Sequence, residues 1–208
     1  MRVRIAGTVV LATASMALGS VAHAAAKPAP VCKQVVDDAN DALLGGSGNA
    51  AGQPSSATLD ILSADIATGK KNVVGAIRLR SLEKDTWTTG GSTYVLSWYS
   101  DGVKRAFTYR TYADSAPDAV FDTDTASGQL TDLIPVAFTV DAAQAIVTFT
   151  MPRKVEPSLK KAGASFTSLG VVSNMGVNRQ GGYTTTGFDT ASSPRKYVDG
   201  TATCLKGV

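Results

Sequence analysis

The chain holds two cysteines, Cys32 and Cys204, and they stand near opposite ends of what remains after export. A bond between them ties the domain end to end, so any fold that permits it must bring its termini together. The alternative is two free thiols, which an oxidising compartment disfavours. In chain-entropy terms, a disulfide that closes so long a loop stabilises the fold by about 5 kcal/mol, less any strain.

Export is read from residues 1–24. Arg2 and Arg4 form a charged start, residues 9–18 an apolar run, and residues 22–24 (AHA) a small-residue cleavage site. The run falls short of the roughly 20 apolar residues that a membrane span needs. A lipid anchor at Cys32 does not fit, because Val31 stands where lipoprotein processing takes a small residue. Residues 25–31 read as a flexible lead and 32–208 as one domain. Of the 208 residues, 184 remain after 24 are removed, enough for one sizeable core.

Cleavage changes the chemistry on offer. The single histidine, His23, leaves with the signal, as do two of the 20 basic residues. That leaves 18 basic against 17 acidic residues, a net +1. No strong pull on nucleic acid or an anionic membrane is expected. Without histidine there is no Ser-His-Asp triad, Cys-His pair or His-ligated zinc. Haem is not expected either, since Met151 and Met175 would be its only axial candidates.

The body of the chain reads as strands. Residues 58–67 alternate in part, with Leu62, Ala64 and Ile66 on one face. Residues 73–82 set Ile77 and Leu79 against Arg78 and Arg80. Residues 93–99 and 103–110 flank Ser100-Asp101-Gly102, and Asp-Gly at a tip favours a type I′ turn. That register sets Trp98 opposite Arg105, Leu96 opposite Phe107 and Tyr94 opposite Tyr109, all on one face. Residues 135–140 and 145–151 form an expected antiparallel pair, 165–174 a further strand and 155–162 a short helical turn. Residues 45–56 (GGSGNAAGQPSS) read as a loop. The sum is an all-β, antiparallel β-sandwich.

Several segments in order carry a resemblance: VCKQVVDDANDALLGG from residue 31, LDILSADI, VVGAIRLRSL, the YVLSWYSDGVKRAFTYR hairpin, VTFTMPR, and the closing FDTAS and YVDGTATC. This order resembles secreted actinobacterial β-sandwich domains, found alone or behind subtilisin-like peptidases. Those are similar to DOMON-like domains and to family 9 carbohydrate-binding modules. The resemblance implies a jelly-roll-like sandwich and a role in binding, and it carries over no catalytic residue.

Asp37, Asp38 and Asp41 cluster in the first segment, and Asp60 opens the next strand. Calcium takes six to eight oxygen ligands, which such a turn can supply. The resemblance implies the same, since calcium braces loops of this kind in family 9 modules. The other reading is a solvated turn with Asx caps. Asp189 is expected near this turn if the disulfide draws the termini together. Asp122, Asp124 and Asp132 form a second acidic region, read as loop surface or as another ion site.

Sugar-binding sites use exposed aromatic rings as platforms. Trp87, in KDTWTTGG, is one candidate. Trp98, with Arg105 and Tyr109 on the hairpin face, is either a second platform or core, with Arg105 over the indole edge. The resulting expectation is a secreted, non-enzymatic module that binds carbohydrate or cell-wall glycan. The alternative is an extracellular domain that binds a secreted or envelope protein. A carboxylate glycosidase would need two carboxyls in one cleft, and nothing sets the only glutamates, Glu83 and Glu156, together.

Overall fold

The Asp101-Gly102 tip forms as the residues demand, with positive φ at both positions (+50° and +75°). It joins β5 (Ser92–Ser100) to β6 (Val103–Arg110) in the expected register, Trp98 facing Arg105, Leu96 Phe107 and Tyr94 Tyr109. This computed structural model describes residues 32–44, 56–83, 91–123, 133–179 and 182–205, with backbone alone over 176–179 and 182–186.

Two antiparallel sheets make the sandwich. One runs in the order β1 (Val35–Val36), β3 (Ile61–Thr68), β4 (Asn72–Leu79), β10 (Ile146–Pro152), β9 (Ala137–Asp141). The other runs β2 (Leu43–Leu44), β12 (Gly182–Ser193), β11 (Ser165–Arg179), β5, β6, β7 (Asp118–Thr123), β8 (Ile134–Pro135). A short β13 (Tyr197–Val198) pairs with β11. The expected helical turn is two 3-10 turns, Arg153–Val155 and Pro157–Lys160.

Inward-facing residues of both sheets share one core. Ile66, Ile77, Val147 and Phe149 of the first meet Leu96, Trp98, Phe107, Phe121, Phe166 and Val171 of the second. Phe107 stacks on Phe149 across the gap, with ring centroids 5.2 Å apart and planes 7° from parallel. Gly75 is the β4 partner of Phe149 and makes the room. A Cβ there would stand 2.8 Å from a Phe107 ring carbon and 2.9 Å from a Leu96 methyl.

One face assignment is corrected. The β3–β4 register shifts between Ile61 and Ser63, so Leu62 is the extra residue of a bulge. Ile61, not Leu62, joins Ala64 and Ile66 in the core.

The ends are held twice. Cys32 and Cys204 are bonded, with their Cα atoms 5.4 Å apart. The buried Gln34 side chain gives a hydrogen bond to the Ile66 carbonyl and takes one from its N–H, both 2.8 Å, pinning the chain after Cys32 to β3. Near the other end Asp199 takes two hydrogen bonds from Arg153, at 2.7 and 2.6 Å, and one from Thr68 Oγ1. No helix among the described residues is long and apolar enough to cross a membrane. Residues 1–24 and the lead 25–31 lie outside the described residues.

Candidate functional site

The acidic turn after β1 is folded against β3 and β12. Carboxylate oxygens of Asp37, Asp41 and Asp189 lie within 4.8 Å of one another. Two oxygens each about 2.4 Å from one ion lie at most about 4.8 Å apart, so the spacing suits a shared hard cation. The trio comes from distant parts of the chain. Asp37 and Asp41 sit in the turn, whereas Asp189 is set by pairing in β12, whose neighbour Phe188 pairs with Leu43 of β2. Asp189 Oδ2 accepts the Ile61 N–H at 2.7 Å.

Asp60 adjoins this trio and is fully buried. Its Oδ2 accepts the Asn40 N–H at 2.7 Å and pairs with Arg80 Nε at 2.9 Å. Arg80 reaches it because β4 ends at Leu79, freeing Arg80 from the strand; its N–H bonds the Asp60 carbonyl and its guanidinium also bonds Asn40 Oδ1. Asp60 Oδ1 and Asp37 Oδ2 are shut off from solvent with no hydrogen-bond partner among the described residues. A buried carboxylate oxygen left unpaired is costly, and a cation would satisfy it.

The electrostatics agree. Burial pushes the Asp189 carboxyl up to about 6, and the charges of Asp37 and Asp41 push the same way. Asp37 and Asp60 are also raised, chiefly by burial, with neighbouring aspartates adding to it. Asp38 was expected among the ligands, but it is exposed and its carboxylate is not part of the trio. Its backbone N–H caps Asp37 Oδ1.

The hairpin face divides. Trp98 is completely buried, packed against Phe107, Phe121 and Phe166 at 5.1 to 6.0 Å between centroids, so it is core and not a platform. Arg105 does not serve an outside ligand. It is buried and pairs with Glu156 at 3.0 Å, while bonding the carbonyls of Ser100 and Val103. Glu156 Oε1 also accepts from both the N–H and the hydroxyl of Ser158. The physical reason is shared: this end of the second sheet's inner face is covered, over Trp98 by the aromatic core and over Arg105 by Glu156. Tyr109, at the far end of that face, stacks on Tyr94 and lines a cavity of about 280 Å³. Trp87, Asp124 and Asp132 lie outside the described residues; Asp122 is buried in β7 and accepts from Thr108.

No family model, curated protein or solved structure matches this chain. Of the four aspartates named from the sequence, Asp37, Asp38, Asp41 and Asp60, the fold sets Asp37 and Asp41 together with Asp189, and Asp60 adjoins them. Sequence reasoning missed Asn40 and Arg80 as their supports, although an arginine just past a strand end was a usable signal.

Proposed function

We propose that this chain is an exported, non-enzymatic binding module, braced by a divalent cation and directed at an extracellular glycan. The observation that carries the cation is the pair of unpartnered buried oxygens, Asp60 Oδ1 and Asp37 Oδ2, beside Asp41 and Asp189. Four aspartates against one arginine leave a net −3, which a divalent ion offsets in part. The donors are all oxygens, which suits calcium rather than a softer metal. Held there, the ion would join the N-terminal turn to β3 and β12, a structural role rather than a reactive one.

The glycan half of the proposal draws on the export signal and on the likeness to DOMON-like and family 9 carbohydrate-binding modules. The end-to-end disulfide fits an oxidising, extracytoplasmic setting. Affinity electrophoresis through gels containing neutral polysaccharides tests it. Retardation by at least one is expected; free migration through all of them would defeat the glycan reading.

A second reading rests on the edge where β8 passes to β9. Leu133, Ile134 and Val140 are exposed there, and β9 borders the first sheet. Open strand edges accept partner strands. On this reading the module docks a secreted or envelope protein. Co-purification from culture supernatant that is lost on Val140→Lys would favour it.

A further inference from the structure

The cavity beside Tyr109 lies where the start of β5 meets the end of β6, apart from the acidic turn. Its walls include Ser92, Tyr94, Tyr109, Tyr112 and Ser115, and no described residue lining it is charged. Two of these walls are chemically incomplete. Tyr109 and Ser92 are each 4% exposed. Neither side-chain hydroxyl has a hydrogen-bond partner among the described residues; the bonds Ser92 makes with Thr111, to its Oγ1 and from its backbone N–H, use the Ser92 backbone.

The remaining walls are held still. Tyr94 and Tyr109 stack with centroids 5.9 Å apart and planes 22° from parallel. Tyr112, at the rim, gives its hydroxyl to Asp118, and Arg110 grips that carboxylate through Nε at 2.8 Å and Nη2 at 2.7 Å. Gly91 shapes the floor. It has φ +93°, and a Cβ there would collide with the Thr111 carbonyl oxygen.

These features restrict what fits. A charged ligand would find no counter-charge and would be poorly desolvated. A purely apolar one would leave the Tyr109 and Ser92 hydroxyls buried without partners. A volume of about 280 Å³ lies at the small end for binding cavities and suits one ring rather than a chain.

We infer that this cavity binds a single neutral sugar ring, hydrogen-bonded by the Tyr109 and Ser92 hydroxyls and packed against the tyrosine rings. The inference rests on the glycan reading above and gives that reading its site. A glycan would then be gripped by one residue, at a chain end or branch, with the remaining units outside the cavity.

The test uses the full exported chain, its Tyr109→Phe and Ser92→Ala variants, and two kinds of probe. Both substitutions remove little beyond an oxygen, and unchanged melting temperatures would confirm that the fold survives. Methyl glycosides of glucose, galactose, mannose and N-acetylglucosamine are screened by saturation-transfer NMR, and neutral polysaccharides by affinity electrophoresis. The expected result is saturation transfer from at least one glycoside, with affinity about tenfold weaker in Tyr109→Phe. The same glycoside should release the protein from polysaccharide. Polysaccharide binding that both variants retain in full would overturn the cavity assignment and leave the glycan reading standing. Absence of binding by the unaltered chain to every probe would overturn both.

Discussion

Asp189 accepts the backbone N–H of Ile61 across 128 residues of sequence, and so fastens β12 of one sheet to the start of β3 in the other. The same carboxylate faces Asp37 and Asp41. One side chain therefore serves both the joint between the sheets and the proposed cation site.

Calcium should raise the melting temperature over that in EDTA. At a free concentration a hundredfold above Kd, linkage predicts about 2.7 kcal/mol of added stability. Asp41→Asn should abolish most of the response, because Asp41 is exposed and contributes little else. Calorimetric scans with and without the ion measure this, and identical scans would sink the cation proposal.

Without metal, stability should fall as pH rises between about 4 and 6. The folded Asp189 carboxyl titrates near 6, above its ordinary 3.8. The native state therefore holds more protons than the unfolded chain in that window. The stabilisation is complete below the unfolded value and is lost as pH passes the folded one. Asp37 and Asp60 act in the same direction. Urea midpoints in EDTA should show this slope flattened in Asp189→Asn, and calcium should recover stability at pH 7.

Glu156→Ala should destabilise by about 3–5 kcal/mol, since it strands the Arg105 guanidinium in the core. The pair is almost fully enclosed, with side chains 6% and 0% exposed for Arg105 and Glu156. Arg105→Met combined with Glu156→Leu should recover much of the loss. Denaturant unfolding of the single and double variants checks both expectations.

Gly75→Ala should cost about 1–3 kcal/mol through overpacking, because the new methyl group would press on Phe107 and Leu96. Thermal unfolding measures the loss. A neutral result would mean that the sheets separate more easily than the Phe107–Phe149 stack suggests.

The hairpin was legible because Asp101-Gly102 sets its register without help from the rest of the fold. β9 and β10 were legible for a similar reason, as two alternating runs around a short turn. β12 was not read as a strand: Gly, Thr and Ser dominate it, and although it follows β11 directly as a hairpin, its other neighbour, β2, comes from distant sequence. The bulge at Leu62 was hidden because alternation alone does not reveal an extra residue. The register alone shows that one hairpin face is aromatic. Only packing against the first sheet could decide that Trp98 is enclosed while Tyr109 borders a cavity.

The bridge between Cys32 and Cys204 also has a mechanical consequence. A pull applied to the chain on either side of it is carried by a covalent link and bypasses the strands between two cysteines 172 positions apart in sequence. The strands inside bear no load until that link is reduced. Tethered at its ends under shear, the sandwich would transmit tension without being opened by it.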